Sequence, residues 1–163
     1  MASRRKRVVI LGAAGMDYHV FNTHFRDDPG CEVVAFTMAA EQNLGTVGSL
    51  RSYPPVLAGR LYPEGIPTYP QSQLLEILPR LQADEVVFAY SDVSYQYLMN
   101  LAASALAAGA SFRVVAPRFV QLKSGKPVVA VCAVRTGCGK SQTSRRVYEI
   151  LKKRGLRVVA VRE

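Results

Sequence analysis

The chain has 163 residues, of which 49% are hydrophobic and 20% charged, and 21 Lys and Arg residues against 12 Asp and Glu residues give a net charge of +9. This balance is typical of a globular protein and excludes a disordered chain. The apolar runs are short and broken by Gly, Pro and charged residues, so a membrane-spanning helix of roughly 18–20 residues is excluded. The length can bury a core that needs no disulfide or metal.

The cysteines indicate the cellular compartment, and the basic clusters indicate the classes of binding partner. Cys31, Cys132 and Cys138 are odd in number and lack metal-ligand spacing, which favours a reducing, cytoplasmic compartment. The start of the chain lacks the unbroken apolar core and cleavage site of a signal peptide. Positive charge is concentrated at residues 4–7 and 152–157, but no nucleic-acid motif accompanies it. We therefore expect a phosphorylated small molecule as partner, with no nucleic acid and no membrane, and self-association into a homo-oligomer stays open.

Short β-branched runs alternate with longer amphipathic stretches, which is the pattern of a parallel sheet covered by helices. A Gly- and Pro-rich segment, residues 38–63, is too long for an idle connection and predicts a functional loop. These elements predict a Rossmann-like α/β domain over residues 1–118. In chain order, strands are predicted at 8–11, 32–37, 66–69, 85–90 and 112–116, and helices at 17–26, 71–82 and 93–108.

A second unit follows a predicted connector at residues 119–126. It contains a predicted strand at 128–134, a helix at 140–154 and a strand at 156–161. Two strands and one helix cannot bury both faces of a parallel sheet. We therefore expect residues 127–163 to be an incomplete domain of a longer protein. The alternative is that these strands extend the first sheet into one seven-stranded domain.

The strongest chemical signal is the segment RTGCGKS, which ends at Ser141, between a predicted strand and a predicted helix. Its glycines let backbone N–H groups surround a phosphate at the helix N-terminus, Lys140 neutralises phosphate charge, and Ser141 can ligate Mg²⁺. The pattern GxxxxGK[ST] departs at Val134, where it asks for Gly, but its core GxGKS is intact. We predict a P-loop that binds ATP or GTP, so that residues 127–163 are an incomplete P-loop NTPase domain. The predicted nucleotide-binding residues are Arg135, Thr136, Gly137, Cys138, Gly139, Lys140, Ser141 and Gln142, with Lys140 catalytic.

This segment is either a phosphate-binding loop or an ordinary strand-to-helix turn with a solvated lysine. Within it, Cys138 fits a loop spacer better than a nucleophile. Phosphoryl transfer also needs a second Mg²⁺-binding carboxylate and a base-recognition element. No clear candidate follows Ser141, since Glu163 is a weak one, so we expect this chain alone to be a poor catalyst.

A glycine turn also follows the first predicted strand. It resembles a dinucleotide-binding turn, but the middle glycine is missing and the second strand ends in Thr37 instead of an acidic residue, which disfavours NAD. Polar residues nearby are expected at the carboxyl edge of the sheet, where ligands of open α/β sheets bind. Plain helix capping explains several of them equally well. The substrate-binding candidates are Gly12, Gly15, Asp17, His19, Asn22, Ser91 and Asp92.

Several segments resemble the cyclic 2,3-diphosphoglycerate synthetases and their relatives described as predicted GTPases. The resemblance is carried by GAAGMDYHVFN (12–22), EVVAFT, YPPVLAG, LYPEGIP, DEVVFAYSDVSY and above all PVVAVCAVRTGCGKSQTSRRV (127–147). Family members are longer, with a Rossmann-like domain before a larger P-loop domain. Met16 departs from the arginine that the family pattern leads us to expect.

The resemblance implies an ATP- and Mg²⁺-dependent enzyme that closes an intramolecular phosphoanhydride in 2,3-diphosphoglycerate and releases ADP and phosphate. Positioning and charge neutralisation would carry most of the catalysis. It further implies that Arg135 faces phosphate and is catalytic together with Lys140. A GTPase of the same family and a non-catalytic metabolite-binding module are the alternative functions.

Overall fold

The computed structural model of the protein describes residues 4–13, 15–39, 52–89, 93–132 and 137–161. The chain divides into two compact units, Met1–Leu122 and Lys123–Glu163. In the part of the chain that the structure describes, no helix is long and apolar enough to cross a membrane.

The first unit is built on one six-stranded sheet with the strand order β3-β4-β2-β1-β5-β6. All neighbouring strands are parallel except β3 and β4, which are antiparallel. The Rossmann-like α/β sheet is therefore confirmed, with one strand more than the five predicted. The strands are β1 Lys6–Leu11, β2 Cys31–Met38, β3 Ser52–Tyr53, β4 Ile66–Pro70, β5 Glu85–Phe88 and β6 Ser111–Val114.

Helices cover both faces of this sheet, in agreement with those predicted at 17–26, 71–82 and 93–108. On one face, β1 buries Val8 against Phe21, and on the other it buries Val9 in a cluster with Ile77 and Ala105. Burial on both faces explains why the central strands read as continuous apolar runs. The helices of this unit are α1 Met16–Val20 with a π-helical continuation Phe21–Phe25, α2 Pro55–Ala58, α3 Leu74–Arg80 after a 3₁₀ turn Gln71–Gln73, and α4 Tyr95–Ala107.

The N-terminus of α4 is capped by a residue that the sequence analysis did not name. The Ser94 hydroxyl accepts a hydrogen bond of 3.2 Å from the Tyr97 N–H, which satisfies one free donor of the first turn. Gly109, with φ +83°, follows the helix in the left-handed conformation that favours glycine at a helix C-terminus. Ser91 and Asp92, the predicted alternatives for the cap, lie outside the described residues.

In the described residues of the second unit, the regular element is α5 Lys140–Lys153, in agreement with the helix predicted at 140–154. The strands predicted at 128–134 and 156–161 are wrong for the residues that the structure describes, because 127–132 and 156–161 form no strand. Val129 and Val159 show the reason, since they are 64% and 85% exposed and, within the described ranges, no strand pairs with either segment. The seven-stranded alternative is wrong for the same residues. The incomplete P-loop domain predicted for residues 127–163 stays a prediction, because residues 133–136 of its loop lie outside the described residues.

Candidate functional site

The glycine turn after β1 is held together by a buried carboxylate. Asp17 is 1% exposed, and its Oδ1 accepts hydrogen bonds of 2.8 Å from the Gly15 and Tyr18 N–H groups. Gly12 has φ +108°, donates its N–H to the Thr37 carbonyl at 2.8 Å, and lies so close to Asp17 that a Cβ would overlap the carboxylate. Three predicted candidates, Gly12, Gly15 and Asp17, therefore meet in one turn, where the bonds of the carboxylate shape the backbone.

The next two candidates lie on α1 and its continuation and contact other parts of the first unit. His19 Nε2 lies 2.7 Å from the carbonyl oxygen of Val120, a contact 101 residues apart in sequence. The Asn22 side-chain amide and the Tyr53 hydroxyl exchange hydrogen bonds of 3.0 and 3.1 Å. His19 thus ties the end of the first unit to its first helix, and Asn22 ties that helix to β3.

The topology places the turn at the point where ligands of open sheets bind. The chain runs from β1 to β2 on one side and later crosses to β5 on the other side of β1. Such a reversal of strand order opens a crevice at the carboxyl ends of the central strands, β1 and β5 here. The turn at residues 12–15 follows β1 and lies at this edge.

Basic residues at 4–7 form ion pairs within the first unit. Arg4 pairs with Asp84 at 2.5 Å and Lys6 with Glu85 at 3.3 Å. Arg7 pairs with Glu32 at 3.2 Å, and its backbone N–H donates to the Asp84 carboxylate at 2.7 Å, which is the main cause that lowers the pKa of Asp84. The run therefore ties the amino ends of β1, β2 and β5 together.

Net charge divides unevenly between the two units. Residues 123–163 hold 11 of the 21 Lys and Arg residues but 2 of the 12 Asp and Glu residues, which is a net charge of +9. Residues 1–122 hold the remaining ten of each sign, which is a net charge of zero. The net positive charge that would attract a polyanion therefore lies in the second unit.

The start of α5 has the backbone geometry of an anion-binding turn. Gly137 and Gly139 have φ +84° and +87°, conformations that favour glycine. Gly139 is the N-cap of a 14-residue helix and supplies no side-chain hydrogen bond to its first N–H groups, which are the donors that bind anions at helix N-termini. Lys140 and Ser141 are exposed in the first turn. Arg135 and Thr136 of the predicted loop lie outside the described residues.

The oxygen ligands near this turn are few. The Ser141 hydroxyl supplies one hard oxygen, the donor type that Mg²⁺ prefers. Among the described residues, no group of three His, Cys, Asp or Glu side chains could hold a metal ion. The residues therefore fit a Mg²⁺ ion that arrives with nucleotide phosphates, and do not by themselves form a metal site.

Two features of the first unit were not predicted from sequence. His24 Nε2 accepts a hydrogen bond from the Arg113 guanidinium, which also lies 3.6 Å from the buried Glu85 carboxylate. Burial, followed by the Arg113 charge, lowers the pKa of His24. A cavity of about 320 Å³ lies between the start of α3 and α4, and its lining contains no charged side chain, which suits a neutral group better than a phosphate. The cavity is lined by Ala39, Gln71, Ser72, Leu74, Leu75, Tyr97, Leu101 and Ser104.

No protein-family model matches the chain. The chain is 55% identical over 159 residues to a protein named arginine synthetase ArcE from Thermococcus kodakarensis, an alignment that covers 98% of the chain and 35% of that protein. The chain thus spans about a third of the length of the curated relative it matches.

Among solved structures, RSP, a Rex-family repressor, is 14% identical with a TM-score of 0.49, and 94% of this chain covers 64% of that one. The complex of RSP with β-NADH is 15% identical with a TM-score of 0.46 and the same coverage. At these scores the likeness to a repressor carries no argument about ligand or DNA.

Proposed function

We propose that the chain is part of an NTP-dependent synthetase in which residues 137–141 bind the nucleotide phosphates. The observation that carries the proposal is the start of α5, where two glycines at positive φ precede an uncapped helix that begins with Lys140 and Ser141. The net charge of +9 in residues 123–163 adds attraction for a polyanion.

Each residue of the turn has a separate role in this proposal. The glycines let backbone N–H groups approach the β- and γ-phosphates, and the helix dipole adds positive potential there. The Lys140 ammonium neutralises charge on the transferred group, and Ser141 directs its hydroxyl to Mg²⁺. When bound, Mg²⁺ would offset the negative charge that develops on the phosphate oxygens.

The reaction class is phosphoryl transfer to an acceptor oxygen. A bond forms between that oxygen and the γ-phosphorus, the bond from the γ-phosphorus to the bridging oxygen breaks, and the nucleoside diphosphate leaves with the bond electrons. The phosphorylated acceptor then reacts with a second nucleophile and releases phosphate. Charge neutralisation and positioning carry the catalysis in such a transfer.

Two products are supported by separate observations. The name of the 55% identical relative supports arginine, for which a nitrogen nucleophile would displace the phosphate from the activated carbon. The sequence resemblance supports a cyclic diphosphoglycerate, for which a neighbouring phosphate oxygen would be the nucleophile. We propose arginine formation first, because that relative aligns with 98% of the chain.

Nucleotide binding can be tested on the 163-residue chain by titration with fluorescent ATP and GTP analogues in the presence of Mg²⁺. Lys140→Ala should weaken binding at least tenfold, since it removes the charge closest to the phosphates. Lys153→Ala is the matched control, because it removes an equal charge from the last residue of the same helix. Equal affinity of wild type and Lys140→Ala would refute the nucleotide-binding loop.

The product is tested in the full-length protein. Nucleotide-dependent formation of labelled arginine is compared with formation of cyclic diphosphoglycerate, each in wild type and in Lys140→Ala. Arginine alone supports the first product, and the cyclic compound alone supports the second. If neither product forms, and a thermal-shift screen finds a metabolite that stabilises residues 1–122, the non-catalytic binding module is favoured instead.

A further inference from the structure

The outward side of α4 is unlike the outward side of a typical surface helix. None of the 13 residues of α4 is charged, whereas 20% of the whole chain is. Its inward side buries Ala102 and Ala105 against the sheet. Exposed helix faces are normally polar or charged, so a helix that is uncharged all round indicates a second covered side.

The exposed apolar residues of α4 follow one another at helical spacing. Tyr95, Met99, Ala103 and Leu106 are separated by four, four and three positions, which places them in one row along the helix, here named the α4 row. Tyr95, Met99 and Leu106 are 90%, 63% and 64% exposed, and Ala103 is exposed as well. Scattered apolar residues on a surface need no explanation, but a continuous row does.

The row lies beside an open sheet edge. The strand β6 pairs with β5 on one side and ends the strand order of the sheet on the other. Phe112 of this strand packs in the same buried cluster as the inward residues of α4, so Val114, two positions on, faces the side of the sheet that α4 covers. Val114 is 59% exposed. The apolar surface therefore extends from α4 to the sheet edge.

We propose that the α4 row, with Val114, is the interface at which two copies of this chain form a two-fold symmetric dimer. The larger apolar side chains, Tyr95, Met99, Leu106 and Val114, present on the order of 500 Å² of accessible surface. The exposed residues Gln96, Asn100, Ala103 and Ala107 add on the order of 200 Å². A specific interface buries roughly 800 Å² per partner, so the surface has the size of a small, stable dimer interface.

Charge favours a second copy as the occupant. A partner with a charged docking surface would lose hydration of its charges on α4 and find no opposite charge there. A second copy offers the same uncharged surface, and residues 1–122 carry no net charge that would repel it. With the two-fold axis perpendicular to the helix, the two copies of α4 run antiparallel, so Tyr95 of each would lie near Leu106 of the other. The small Ala103 and Ala107 let the two helices approach closely.

The test is the oligomeric state of the 163-residue chain, measured by sedimentation velocity between about 1 and 100 µM, since small interfaces bind in the micromolar range. Wild type should reach twice its mass of 17.9 kDa. Met99→Glu and Leu106→Glu should each weaken the dimer at least tenfold, because each buries a charge without a partner. Far-UV circular dichroism should stay unchanged, and so should the thermal midpoint measured at a concentration where the wild type is monomeric, since both side chains are exposed.

Two controls separate this interface from other apolar contacts. Leu57→Glu changes a 51% exposed leucine on α2 and should leave the dimer intact. Val159→Lys does the same for an 85% exposed valine of the second unit. A wild type that stays monomeric at 100 µM overturns the proposal. So does a dimer that Val159→Lys dissociates while both α4 variants leave it intact.

Discussion

The turn after β1 offers a sharp test of how the first unit is built. Replacing Gly12 by Ala forces a side chain onto a residue with φ +108°, a conformation that costs an L-residue about 2 kcal/mol. The new Cβ would lie 3.0 Å from the Asp17 Cβ and Cγ and would overlap Oδ2. The buried carboxylate must then move and lose one of its two hydrogen bonds to backbone N–H groups, which is worth about 2 kcal/mol. We expect Gly12→Ala to lower the free energy of unfolding by about 4 kcal/mol.

A double-mutant cycle isolates the overlap. Asp17→Ala alone should cost about 4 kcal/mol, because two donors lose their acceptor and one of them is the N–H of the helix N-cap residue, Gly15. In the Asp17→Ala background, Gly12→Ala keeps its backbone strain but no longer displaces a carboxylate. The double variant should therefore be more stable than additivity predicts by at least about 1 kcal/mol.

Urea unfolding followed by circular dichroism measures all four proteins. Gly15→Ala is the matched control in the same turn, since Gly15 is extended, with φ −161°, and its added Cβ would meet nothing within 4 Å. We expect it to cost less than about 1 kcal/mol. Additive effects of Gly12→Ala and Asp17→Ala, or an equal cost at Gly15, would refute the structural role assigned to the carboxylate.

Three further predictions concern the same unit. In its neutral form, His24 accepts a hydrogen bond from Arg113, and burial lowers its pKa below 6.5. The unfolded chain therefore binds the proton first, and the stability should fall as the pH drops below about 6.5. His24→Gln should reduce this pH dependence when thermal midpoints are measured from pH 8 to 5. Glu85→Ala should cost about 1–2 kcal/mol in urea unfolding, because its partners Lys6 and Arg113 are partly exposed and keep some hydration, and a loss above 4 kcal/mol would contradict this. Ser94→Ala should cost about 1 kcal/mol and Ser94→Asp much less, since aspartate also caps a helix, and equal losses would exclude capping.

Local patterns predicted most of the first unit. The apolar run of β1 and the closing Gly109 of α4 depend on neighbours in sequence, and both elements lie where they were predicted. The strand β3 was missed because it has two residues and stands before Pro54 and Pro55, in a segment without periodicity. A strand this short exists only through its partner β4, which local sequence does not reveal.

The wrong strand predictions and the unpredicted side-chain pairs share one physical cause: both depend on contacts between residues that are distant in sequence. The strands predicted at 128–134 and 156–161 have β-branched sequences, but propensity alone does not supply the neighbouring strand that a β-strand needs. The partner of His24 is 89 residues away, and Arg4 pairs with Asp84 across 80 residues. Candidate residues could be named from sequence, whereas the bonds that give them their roles could not.

The division of charge between the two units links both proposals and predicts that they respond oppositely to salt. Nucleotide binding at residues 137–141 draws on the +9 charge of residues 123–163. Its affinity should fall as ionic strength rises from 0.05 to 0.5 M, because the screening length shrinks from about 14 Å to about 4 Å. The α4 row has no charge, so dimerisation should stay constant or strengthen, since salts such as sulfate favour apolar burial. Both equilibria can be measured on the same preparation with sodium chloride, since sulfate would itself compete with the nucleotide phosphates for the turn. If the two weakened in parallel, association would depend on the charged unit and the uncharged interface would be excluded.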